Sequence, residues 1–168
     1  PNESAMPAAQ YVLPNPVTPE PMGVYNTIGL AMDVFVSGTF AYVADGVAGL
    51  EIFDVSNPSS PVLVGSYSTP GNAMGVSVRG KFAYVVDDIG TLQIIDITSP
   101  SLGQTCPASP ACTGQYNALG SAYKVYVDGT FAYVAARTNG LIVVDVSTPS
   151  APILKGSYNT PGDSVDVF

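Results

Sequence analysis

Gly38-Thr39-Phe40-Ala41-Tyr42-Val43 returns as Gly80-Lys81-Phe82-Ala83-Tyr84-Val85, and once more as Gly129-Thr130-Phe131-Ala132-Tyr133-Val134. A second motif follows each copy: Leu50-Glu51-Ile52-Phe53-Asp54, Leu92-Gln93-Ile94-Ile95-Asp96 and Leu141-Ile142-Val143-Val144-Asp145. Successive copies are spaced by 42 and then 49 residues. A period near 40 that holds several short apolar runs predicts β-propeller blades, units that bury their faces only against one another.

Each full unit reads as four strands. In the first they are Ala31–Ser37, Thr39–Ala44, Leu50–Val55 and a strand around Val62–Tyr67. Ser37-Gly38, Arg79-Gly80 and Asp128-Gly129 supply glycine for tight hairpin turns, and Ser56-Asn57-Pro58 supplies the turn before the fourth strand. Near-continuous apolar runs such as Phe40–Val43 suit sheets covered on both faces. The full units span about residues 31–72, 73–120 and 121–163. The fourth-strand tail Gly-x-Tyr occurs four times, at Gly23-Val24-Tyr25, Gly65-Ser66-Tyr67, Gly114-Gln115-Tyr116 and Gly156-Ser157-Tyr158. Asn15-Pro16-Val17-Thr18-Pro19 likewise matches Asn57–Pro61, so the repeats run over 15–168, behind an extended arm or linker at 1–14.

Ser164–Phe168 aligns with Ala31–Phe35, the beginning of a further first strand. Three blades fall short of the ~4 that close a ring, so the expectation is a polypeptide continuing beyond Phe168. The alternative is completion by another subunit. Pro1 opens the chain without an initiator Met, which is expected of a processed or truncated product.

Composition narrows the partners. The formal net charge is -8 and only five residues are Lys or Arg, so a nucleic-acid phosphate backbone is excluded as a ligand. No apolar run approaches the ~18 residues that span a membrane. The sequence lacks His, which removes Cys/His zinc sites and the Ser-His-Asp and Cys-His forms of nucleophilic catalysis. Cys106 and Cys112 lie in a seven-residue insertion of the middle unit, and a loop-closing disulfide in an oxidising compartment is the favoured reading. Asn2-Glu3-Ser4 is a glycosylation sequon.

The units resemble the LVIVD-repeat family of bacterial and archaeal surface proteins. Ala41–Gly46 and Gly49–Pro58 follow its pattern Ala-Tyr-Val-Ala-Asp-Gly and Gly-Leu-x-Ile-Val-Asp-Val-Ser-x-Pro with Phe53 in place of Val. Gly140–Pro149 follows it as completely, with Val143 in place of Ile, and Thr91–Pro100 departs at Thr91 and at Ile97-Thr98. The resemblance implies an all-β propeller in an extracellular or cell-surface location, with no established catalytic residues and no cofactor.

Positions that all units share read as scaffold. Asp54, Asp96 and Asp145 each open a turn whose backbone they can bind. Tyr25, Tyr67, Tyr116 and Tyr158 are expected to pack between blades. Positions that differ are candidates for recognition: Asp45, Asp87, Asp88, Arg137 and Asp163, on loops that share one rim with the blade crossings. Adjacent Asp87 and Asp88 fall short of the roughly 6–8 oxygens that Ca²⁺ takes, so no metal site is expected. Arg137 is expected in a plain surface ion pair. Glu51, a formal candidate for glycoside hydrolysis, is expected to be exposed at a blade edge. The leading expectation is a non-catalytic module whose partner is another protein or a surface glycan. A polysaccharide-acting enzyme with its catalytic residues elsewhere, and a self-assembling filament or layer subunit, are the alternatives.

Overall fold

In a computed structural model, residues 20–117 and 119–168 are described. The arm at 1–14, the sequon and the Asn15–Pro19 tail lie outside the described residues.

The described chain is all β and forms three sheets. The first contains β1 (Asp33–Ser37), β2 (Phe40–Ala44), β3 (Leu50–Asp54) and β4 (Val62–Ser68). The second contains β5 (Ala73–Arg79), β6 (Phe82–Asp87), β7 (Thr91–Asp96) and β9 (Cys112–Asn117). The third contains β10 (Lys124–Asp128), β11 (Phe131–Ala135), β12 (Leu141–Asp145) and β13 (Ile153–Tyr158). Within each blade consecutive strands pair antiparallel, and each third–fourth pair carries a register shift, at Ile52/Phe53, Ile94/Ile95 and Val143/Val144.

Ser37 pairs with Phe40, so the two-residue hairpin loop is Gly38-Thr39, one residue later than the sequence suggested. Gly38, Gly80 and Gly129 have φ of 59°, 59° and 57°. Glycine as the first central residue matches the type II′ turn, whose twist suits the flanking strands. A Cβ at these positions would meet no neighbouring atom, so backbone conformation alone selects glycine.

The core lies between blades. Tyr42, Leu50, Ile52 and Tyr67 of blade one join Val76, Ala83, Val85 and Ile95 of blade two in one cluster. Tyr84, Leu92 and Ile94 of blade two join Val125, Ala132, Val134 and Val144 of blade three in the next. Both faces of blade two are therefore buried, which explains its unbroken apolar strands. The first strands gather at the inner edge, where β5 touches both β1 and β10.

The insertion makes a strand that the four-strand reading did not contain. β8 (Gln104–Thr105) pairs parallel with the outer strand of the preceding blade, Tyr67 against Gln104 and Ser68 against Thr105. Cys106 and Cys112 form a disulfide at the base of this excursion. Ser66 N–H donates to Ser101 O (3.0 Å) and Cys106 N–H to Ser68 O (2.9 Å), so an otherwise open edge of blade one is covered.

Candidate interaction rim

The β2–β3, β6–β7 and β11–β12 loops share one end of the arc with the crossings between blades. Asp45 and Asp87 sit at equivalent places where their strands enter these loops, and both are fully buried. Each carboxylate holds the crossing that enters its own blade. Asp45 accepts from Thr27 Oγ1 (2.7 Å) and Gly29 N–H (2.8 Å). Asp87 accepts from Gly71 N–H (3.1 Å) and Thr91 N–H (2.7 Å). Burial raises the Asp87 pKa, against the opposing effect of these N–H donors. The two buried acids thus anchor the backbone of the rim, leaving no oxygen free towards solvent.

The remaining candidates lie further out. Asp88 accepts from the backbone N–H and the side-chain amide of Asn72, each at 2.9 Å. Arg137, the one non-glycine residue with positive φ among the described residues (41°), reaches the following crossing, its guanidinium 3.2 Å from Asp163. That is a surface ion pair, and it involves neither Asp87 nor Asp88. The same guanidinium lies 5.2 Å from the centre of the Tyr123 ring. The five candidates therefore form separate clasps around the rim, and among the described residues no group of three or more Cys, Asp and Glu could hold a metal ion.

Glu51 corrects an expectation of exposure. It is only 4% exposed, its Oε2 has no hydrogen-bond partner, and burial followed by the nearby Asp45 charge raises its pKa. The equivalent Gln93 is fully buried between blades one and two, with its Oε1 also unpartnered.

The turn acids behave as expected of scaffold. Asp54, Asp96 and Asp145 accept from the N–H of Ser56, Thr98 and Ser147 at 2.8, 3.0 and 2.9 Å.

Sequence reasoning missed an apolar component of the rim. Val47 is 75% exposed and its counterpart Ile89 is 63% exposed. Ile89 belongs to the blade flanked on both sides, so its exposure is a property of the rim itself. Beside Val47, a groove is lined by Ile28, Leu30, Met32, Asn72 and Met74. Contiguous exposed apolar surface of this kind marks interaction sites, whereas scattered apolar residues do not. Its signal was present: Val47 and Ile89 are aliphatic residues inside turns that are otherwise Asp- and Gly-rich, at matching repeat positions.

Solved structures share the architecture. The β-propeller domain of Myceliophteria thermophila Cps50 (Swd1) aligns with 77% of this chain and 40% of its own, at 12% identity and a TM-score of 0.59. The computationally designed Ika8 protein aligns with 79% of this chain and 36% of its own, at 9% identity and a TM-score of 0.53. Kluyveromyces lactis Hsv2 aligns with 81% of this chain and 40% of its own, at 13% identity and a TM-score of 0.52. The chain thus spans well under half the length of these structures, and the likeness concerns fold alone. No curated protein matches its sequence. The model of the LVIVD repeat matches three consecutive segments, 28–69, 70–118 and 119–160. With three matched repeats folded as three consecutive propeller blades, the chain belongs to the LVIVD-repeat family.

Proposed function

We propose that this chain is a non-catalytic recognition module of an extracellular or cell-surface protein, and that its rim docks a protein partner. The observation that carries the reading is the exposed aliphatic rim, Val47 and Ile89 with the Ile28–Met74 groove, standing beside Asp88 on a chain of net charge -8. An aliphatic patch beside an outward acid on an acidic chain favours an apolar anchor flanked by basic residues. A glycan would call for an open aromatic platform, and Tyr123 is already covered by Arg137. A carboxylate-based reaction has little support, because both Asp45 oxygens are engaged with Thr27 and Gly29. The disulfide and the repeat family are compatible with an extracellular location. Among the described residues no helix is long and apolar enough to cross a membrane.

The test is affinity capture from an extracellular fraction by the intact chain and by a Val47→Glu/Ile89→Glu variant, alongside a glycan array. The reading expects a protein retained by the chain and lost with the variant. Retention that survives both substitutions, or binding confined to the array, contradicts it.

A further inference from the structure

The two junctions between consecutive blades are finished differently. At the junction of blades one and two, Gln93 Nε2 donates to Gln115 Oε1 at 3.2 Å, and Cys112 is tied to Cys106. β8 covers the outer edge there, and Tyr67 is fully buried with its hydroxyl accepting from Ser101 N–H at 3.3 Å. At the junction of blades two and three, the repeat puts Ile142 in the place of Gln93, Ser157 in that of Gln115 and Leu154 in that of Cys112. The insertion that supplies β8 has no counterpart after β12, and a groove of about 300 Å³ remains. Its two walls, blade two and the facing side of blade three, are both present.

Tyr116, partly buried against the blade-three core, lines this groove together with Ile142 and Leu154. Thr138, Asn139, Ser157 and Asn159 supply its polar lining, and all four are exposed. The Asn139 amide is held in one orientation. Its Nδ2 donates to Leu119 O at 3.1 Å, and a Cβ on Gly120 would collide with that nitrogen. The Asn139 Oδ1 is thereby left as an acceptor of fixed position.

Charge selects the ligand class. None of the lining residues is Lys, Arg, Asp or Glu, so an ion of either sign finds no counter-charge in the groove. A net charge of -8 disfavours an anion further. Amides and hydroxyls that together donate and accept suit a ligand rich in hydroxyls. The electron-rich face of a tyrosine ring suits the polarised C–H groups on the flat side of a sugar ring. The volume lies at the low end of the roughly 300–1,000 Å³ of small-molecule sites, enough for one sugar residue.

We infer that the junction of blades two and three binds one residue of a neutral glycan, its C–H face on Tyr116 and its hydroxyls bonded by Asn139, Ser157 and Asn159. The aromatic face that the apolar rim patch lacks is supplied here. Neither Val47 nor Ile89 lines the groove, so this site and the docking of a protein at the rim can fail independently.

Amide-resolved NMR titration of the intact chain provides the test, with glucose, galactose, mannose, N-acetylglucosamine and disaccharides built from each as probes. The inference expects at least one of these sugars, and a disaccharide containing it, to shift the amides of Thr138, Asn139, Ser157 and Asn159 saturably, with a Kd of about 1 mM. Asn159→Ala, at an exposed position, should weaken binding at least about threefold with circular dichroism unchanged. Ile142→Gln combined with Ser157→Gln installs the pair found at the other junction and should abolish binding. Absence of saturable shifts at these amides with every probe overturns the inference. So does binding that the Ile142→Gln/Ser157→Gln variant retains, or binding of a monosaccharide whose disaccharides are excluded.

Discussion

The Lys124 ammonium lies 2.5 Å from the Asp33 carboxylate, joining the first strand of blade three to the first strand of blade one across blade two. Blade two permits the bridge because its equivalent position is Gly75, which offers no side chain. Asp33 also accepts the Val76 N–H of blade two at 2.8 Å, so one carboxylate ties three blades together. Its side chain is only 9% exposed.

Removing the cation strands that carboxylate. Lys124→Met should cost about 1–3 kcal/mol in urea unfolding, since a nearly buried charge loses its partner. Gly75→Ala should also destabilise, because its Cβ would lie 2.7 Å from Tyr123 O and 2.9 Å from Lys124 Cα, both backbone atoms. A Gly75→Ala variant as stable as the parent would mean that β5 and β10 approach less closely than described.

The glycines of the Gly-x-Tyr tails should differ sharply in tolerance. Gly114→Ala pushes into the Pro149 carbonyl and should lower stability by more than about 1 kcal/mol, while Gly156→Ala should change it by less than about 0.5 kcal/mol. Parallel thermal melts of the two variants decide this. Equal losses would remove the blade-to-blade explanation for the conserved spacing of the turn and tail within the chain.

Reduction should loosen one edge of the molecule. Closing so short a loop contributes about 2 kcal/mol in the chain-entropy model. With Cys106 and Cys112 reduced, the Gln104–Thr105 strand should detach from β4, and hydrogen exchange should accelerate at Cys106 and Ser66, whose N–H groups bind across that seam. Exchange at Val134 within blade three should not change. Uniform acceleration across all blades would instead indicate global destabilisation.

Two turn acids should titrate well below the ordinary Asp value. Hydrogen bonds from Thr98, then Lys81, hold Asp96 at about 2, and those from Ser147, then Lys155, hold Asp145 at about 2, against an ordinary 3.8. Because folding lowers these values, the stability they contribute is present above the ordinary value and is lost as pH falls through about 2. Buried Asp87 and Glu51 are raised and act in the opposite sense, favouring the fold at low pH and losing that contribution as pH rises through their folded values. Carboxyl NMR titration of a Thr98→Ala variant should bring Asp96 upwards and leave Asp145 in place.

What the sequence made legible was whatever repeats. Register of the Phe40, Phe82 and Phe131 segments gave the blades, and Asp54, Asp96 and Asp145 could be read as turn anchors because local backbone satisfies them. The Lys124–Asp33 bridge was not legible, because it depends on three non-identical residues at one repeat position meeting across the axis. Nor was β8, whose two residues carry no periodicity and find their partner in the preceding blade. Glu51 looked like an edge residue because Gln93 and Ile142 replace it elsewhere, yet all three are buried at the same strand position. Asp45 and Asp87 lie at the rim as their loop positions implied, but the crossing backbone draws their carboxylates inward.

The central claim is that successive blades turn about one axis and bring their first strands together. A double-mutant cycle between Asp33→Asn and Lys124→Met, measured by urea unfolding, tests it most directly. These residues are 91 apart in sequence and belong to blades that are not adjacent, so they couple only in that arrangement. The account predicts a coupling of about 1 kcal/mol or more. Strictly additive effects would contradict it.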